Sequence, residues 1–146
     1  MDLRDEIAEL VRHAGGIFNG NPVDGTSSTT DVDTNNGKDL AGRILVYPFR
    51  SAGATPHRLS NFGFHLGGST GNQSGPLPTY RTSAGQGYFS FAPTVTADGR
   101  RNRVSPAVFL YLKRFGGFAE YARTTQDILN AGVPKTVTNQ AWEVTA

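Results

Sequence analysis

Between Asp39 and Asp98 lie 58 consecutive residues without an acidic side chain, and inside that stretch short β-branched and aromatic runs alternate with turn formers. Arg43–Phe49 (RILVYPF), Arg58–Leu66 and Gly87–Val95 are the size of strands and are separated by Gly, Pro, Ser and Asn. With 18 Gly and only 18% charged residues in the whole chain, this punctuation predicts a β-rich body with long connections. At 146 residues the chain fits one domain, large enough to bury roughly two-thirds of its unfolded surface.

The charge is unevenly placed. Residues 40–119 carry nine basic side chains against the single acid Asp98, a net of +8, whereas residues 1–39 carry eight acids against three basic groups, a net of −5. An acidic leading segment joined to an arginine-rich body points to an anionic partner, either nucleic acid or the acidic segment of another copy.

Leu3, Ile7, Leu10, Val11 and Ala14 recur at spacings of three and four, Asp2 can cap the first turn, and Gly15-Gly16 can end it. This pattern predicts an amphipathic helix over residues 3–14, within an N-terminal unit 1–18. Residues 19–40 hold almost no apolar side chain after Val23 and read as a polar, acidic arm or loop. The body, residues 41–146, begins with the three strand candidates above. Residues 67–79 read as a loop and Asp98-Gly99 as a turn. Val104–Phe115 fits either a helix, with Pro106 at its first position, or a buried strand. Phe118, Tyr121, Ala122, Thr125, Ile128 and Leu129 predict a second helix near residues 117–131, closed by Gly132 and Pro134, and Lys135–Val144 reads as a last strand. The expected class is therefore α+β: a β-rich mixed or antiparallel sheet, sandwich-like in one version, with an N-terminal amphipathic helix and a C-terminal helix. Phe62, Phe64, Phe89 and Phe91 are its expected shared core.

Few residues suggest chemistry. Tyr47 and Phe49 beside Arg50, and Tyr80 beside Arg81, are the combination that stacks bases and grips phosphates in single-strand binders. Gly85–Phe91 (GQGYFSF) is similar to the aromatic strand of RNA-recognition modules but lacks its basic residue and Val. Asp31, Asp33, Asn35 and Asp39 place oxygens at alternate positions, as a calcium loop does, yet the Gly falls late and the closing Glu is missing. His57 and His65 share strand parity without a third ligand, and His13 falls on the first helix. Residues 67–75 lack the Lys-Ser/Thr of a phosphate-binding loop. The acids of the body, Asp98, Glu120, Asp127 and Glu143, offer no paired-carboxylate site. Without Cys there is neither a disulfide nor a thiolate metal site. No cofactor, metal or catalytic residue is expected. Charged residues interrupt residues 2–14 as a signal peptide, and no apolar run reaches the ~18–20 residues of a membrane helix, so a soluble, cytoplasmically made protein with no membrane partner is expected.

These features fit a structural subunit of a multi-copy assembly, with the acidic N-terminal segment of one copy on the basic body of the next. The interface candidates are Leu3, Ile7, Leu10 and Val11 on the helix stripe, Asp31, Asp33 and Asp39 on the arm, and Arg50, Arg58 and Arg81 on the body. In outline (short chain, early helix, mixed sheet, long loops) the sequence resembles small structural proteins of tailed-phage virions, of the connector, tail-terminator or decoration type. That resemblance implies location in a virion and partners that are other copies and other structural proteins. The rival readings are a single-stranded nucleic-acid-binding module and a small enzyme or ligand-binding barrel.

Overall fold

The computed structural model describes residues 10–19, 37–50, 58–82 and 84–146. Six strands form one antiparallel sheet: β1 (Val11–Asn19), β2 (Lys38–Val46), β3 (Phe62–Pro76), β6 (Val95–Leu112), β7 (Phe115–Asn130) and β8 (Val133–Thr145). Between β3 and β6 the chain makes a small hairpin of β4 (Tyr80–Arg81) and β5 (Gly87–Phe89). Spatial order follows chain order, β1-β2-β3-β6-β7-β8, so each long strand lies beside its neighbour in sequence and β1 and β8 are the two edges.

The β6–β7 and β7–β8 connections are two-residue turns. Ala131 (φ 49°) and Gly132 (φ 81°) both take the left-handed conformation that a type I′ hairpin requires. Lys113 (φ 48°) begins the other turn, Lys113-Arg114. The end of β1, the start of β2, the β4–β5 hairpin and the β7–β8 turn lie at one end of the sheet, here the hairpin end. The β2–β3 link and the β6–β7 turn lie at the other, the turn end.

The α+β expectation is overturned, because the described residues form a β-sheet without helices. Residues 11–14 of the first expected helix lie in β1, while Leu3 and Ile7 fall outside the described residues. The second expected helix is β7. Its apparent helical stripe drew on both sides of a strand: Phe118, Ala122 and Ile128 fall on one face, Tyr121 and Thr125 on the other. Val104–Leu112 is strand throughout, and Pro106 sits inside β6 rather than at a helix start. With no N–H to give, Pro106 leaves a gap in the β6–β7 ladder opposite Tyr121 and Ala122. Gly67–Pro76, expected as loop, completes β3. Asp98-Gly99 is a bulge within β6, not a turn: between the pairs Ala97↔Ile128 and Arg101↔Gln126, three residues of β6 face one of β7. Gly99 takes φ 124°, and the Asp127 carboxylate fills the bulge, accepting hydrogen bonds from Arg100 N at 3.3 Å and Thr136 Oγ1 at 2.8 Å. The final strand lies where expected.

The six strands make a single layer. Among the described residues only Ala97, Ala107 and Ile128 are buried apolar side chains, and Gln73, Arg101 and Gln126 are buried polar ones. The expected phenylalanine core is also overturned. Phe62 and Phe64 pack on each other and, through Phe62, on Phe49, whereas Phe89 and Phe91 join Tyr80 in the hairpin. Phe64 and Phe89 are about half exposed, at 48% and 49%.

Candidate functional site

Alternation along each strand, carried across the ladder by the register, gives the sheet two unlike faces. One face bears Asp39, Arg43, His65, Ser69, Gln73, Arg101, Arg103, Ser105, Glu120, Thr124, Gln126, Asn139 and Glu143. At its centre Asp39 on β2 reaches across β3 to Arg101 on β6. Arg101 Nη2 lies 3.1 Å from Asp39 Oδ2, and Gln73 Nε2 donates to Asp39 Oδ1 at 3.0 Å. The residue between the pair on β3 is Gly71, where an added Cβ would fall 1.8 Å from Asp39 Oδ1. Only a glycine lets the carboxylate lie flat on the strand and meet the guanidinium two strands away. The same device recurs at Gly63, whose Cβ position is occupied by the Phe109 ring at 2.4 Å. Ser105 donates a hydrogen bond to Glu120 across β6 and β7.

The β4–β5 hairpin folds over this polar face at the hairpin end. Asn139 Nδ2 donates to Tyr80 Oη at 2.8 Å, and Arg81 Nη1 donates to Gly85 O at 2.8 Å to hold the turn. Under the hairpin is a cavity of about 120 Å³, with Leu77, Pro78, Tyr80 and Phe91 on one side and Gln73, Arg101 and Gln126 on the other. This cover explains why the buried side chains other than Ala107 lie here: Gln73, Ala97, Arg101, Gln126 and Ile128.

The opposite face is apolar in a bounded band. Across the strands it presents Ile44 and Val46 on β2, Phe64 and Leu66 on β3, Val104, Pro106, Val108 and Leu110 on β6, Ala119 and Tyr121 on β7, and Trp142 and Val144 on β8. Most are open to the surroundings, Trp142 at 79% and Leu66 at 51%. Among exposed large apolar residues of the long strands, only Phe18, Tyr111 and Val133 lie on the polar side. On β3, β6, β7 and β8 the band stops towards the hairpin end, where the same face turns to Thr70, Asn102, Thr125 and Thr138, whereas on β1 and β2 that row keeps the exposed Ile17 and Leu40. Tyr121 and Trp142, directly paired, are its last members on β7 and β8 before Arg123 and Gln140. His13 ends that row at the β1 edge, opposite Ile44. Covering such a face is worth on the order of 10 kcal/mol at ~25 cal/mol per Å² of apolar surface, comparable to the net stability of a whole domain.

Those of the expected interface residues that the structure describes are spread over the sheet. Asp31 and Asp33 lie outside the described residues, as does His57. Asp39 is the first residue of the polar face on β2 and pairs within its own chain. Leu10 accepts a hydrogen bond from Tyr47 N at 2.8 Å, and Val11 starts β1 on the apolar side. Arg50 stacks on the Tyr47 ring at 4.1 Å, and Arg58 is exposed at the same turn end, but Arg81 belongs to the hairpin at the opposite end. No group of three His, Asp or Glu among the described residues is placed to hold a metal ion. The apolar band was missed because on β3, β7 and β8 its members alternate with small, polar and charged residues, while the apolar runs of β2 and β6, residues 44–47 and 107–112, place side chains on both faces. No family model, curated protein or solved structure matches the chain.

Proposed function

We propose that this sheet is part of the wall of a membrane-spanning β-barrel, its apolar face turned to lipid and its polar face lining an aqueous interior. The observation that carries this reading is that the apolar band crosses the strands at the level where the other face holds Arg43, His65, Glu120 and Glu143. From Val104 to Leu112 the band covers about 27 Å of strand, or about 20 Å of depth at a tilt of ~40°, close to the apolar belt of barrel walls. The up-and-down order of strands, the aromatic pair at the band's limit and the polar strand ends beyond it are features of the same architecture. Among the described residues no helix is long and apolar enough to cross a membrane, and strands need none.

A second reading keeps the multi-copy assembly. Here the apolar face is covered by another copy, and the observation favouring it is that β1 and β8 have no outer partner strand among the described residues. Trp142, the only tryptophan, lies on the disputed face and reports on both. In phospholipid vesicles its emission should shift to the blue and be quenched by bromine placed on the acyl chains. A folded protein that ignores vesicles and shows a shielded Trp142 in lipid-free buffer, with a mass above one chain, would reject the membrane reading in favour of assembly.

A further inference from the structure

At the turn end of the sheet the apolar band runs into a cluster of cations. Leu112 and Phe115 continue the apolar face to its limit, Phe115 being 81% exposed, and Lys113-Arg114 form the turn between them. Arg58, at the end of the β2–β3 link, joins these residues with Asn61 and Tyr111 around a depression of about 640 Å³. Arg58, Lys113 and Arg114 are all exposed, and among the described residues none takes part in an ion pair and no acid lines the depression. Tyr111 lies on the polar side over Gly116, where an added Cβ would stand 2.9 Å from its ring. An aromatic residue therefore flanks the cations on each side of the sheet.

We infer that this cluster binds the phosphate headgroup of an anionic phospholipid, at the rim where the apolar band ends. The inference rests on the membrane reading and adds a partner to it. Its ligand has to be amphipathic, because the three cations adjoin Leu112 and Phe115 directly. A phosphodiester carried on acyl chains satisfies both halves: its anion meets the cations at headgroup depth, and its chains lie along the band. Free phosphate leaves Leu112 and Phe115 uncovered. A nucleic acid would find three charges at one end of a sheet, with the aromatics on opposite faces rather than in a stacking row.

The test uses the full chain with two sets of vesicles, neutral phosphatidylcholine alone and phosphatidylcholine containing phosphatidylglycerol, read by Trp142 emission. Each basic group near an anionic surface strengthens partitioning by about fivefold, so three should give a preference of about a hundredfold for the anionic vesicles at low salt. The triple variant Arg58→Gln, Lys113→Gln, Arg114→Gln should lose that preference yet still enter neutral vesicles, since the apolar band is intact. Equal partitioning of the unaltered protein into both vesicles, or a triple variant that keeps the preference, would overturn the inference while leaving the membrane reading standing. Failure to enter either vesicle would overturn both. Displacement from anionic vesicles by millimolar inorganic phosphate, or by an oligonucleotide at equal charge, would also overturn it, in favour of a plain anion site or a nucleic-acid surface.

Discussion

Leu66→Arg separates a lipid-facing sheet from one that faces water. Leu66 lies on central strand β3, in the row that runs from Ile44 through Pro106 to Tyr121 and Trp142, and is 51% exposed. On a water-facing surface, replacing a half-exposed Leu by Arg changes stability by about 0.5 kcal/mol or less. Facing lipid inside the apolar belt, the same change costs up to about 2–4 kcal/mol, which is at most roughly a 30- to 900-fold shift in the folding equilibrium. Thr70→Arg is the internal control. It lies on the same strand and face, four residues towards the hairpin end and beyond the band, where the cost falls to about 0–1 kcal/mol. The assay is urea titration of protein folded into vesicles, followed by Trp142 emission. A Leu66→Arg protein within 0.5 kcal/mol of the parent, or equal costs at both positions, would refute the placement of this face in lipid.

The polar face makes its own predictions. Asp39→Ala strands the buried Arg101 guanidinium and should destabilise by about 3–5 kcal/mol, and the double variant with Arg101→Met should recover most of that loss. Gly71→Ala should cost about 1–3 kcal/mol by pushing Asp39 off the strand, and less once Asp39 is already Ala, a non-additivity that a double-mutant cycle reads directly. Tyr80→Phe removes the hydrogen bond from Asn139 and should cost about 0.5–1.5 kcal/mol, with faster amide exchange confined to the β4–β5 hairpin.

Strands were legible in the sequence where β-branched and aromatic residues gather between breakers, as in Arg43–Val46, Phe62–Leu66 and Lys135–Val144. They were hidden where a strand carries glycine for a structural purpose. Gly67, Gly68 and Gly71 made the middle of β3 look like loop, but at Gly71 a missing Cβ is what lets Asp39 cross to Arg101. The second expected helix was misread for a related reason. In a globular sheet one face is core, and its alternation is strong; on β7 the faces read Phe118-Glu120-Ala122-Thr124-Gln126-Ile128 and Gly117-Ala119-Tyr121-Arg123-Thr125-Asp127, and neither is apolar along its length. Each face changes character partway, so a helical spacing could be drawn from both. The acid-free run was a real signal whose structural meaning lay elsewhere, because its arginines divide between the polar face, the hairpin and the turn end.

In a bilayer every backbone N–H and C=O at membrane depth needs a partner, and an unpaired one costs several kcal/mol. The outer rims of β1 and β8 offer two such rows, nine and thirteen residues long. Six strands therefore do not make a stable membrane structure by themselves, and the smallest closed barrels of this kind have about eight. The wall must be completed by strands from outside these six. Since β1 and β8 run antiparallel to one another, β8 of one copy can pair with β1 of the next without reversing either the strand alternation or the apolar side. The multi-copy and barrel readings thus meet at the same two edges. A proline placed in β8 at a position donating outward should leave the β7–β8 pairing intact. A protein with that change that still reaches the parent's mass in mild detergent and its full protease resistance in vesicles would show that β8 has no outer neighbour, and the closed wall would be wrong.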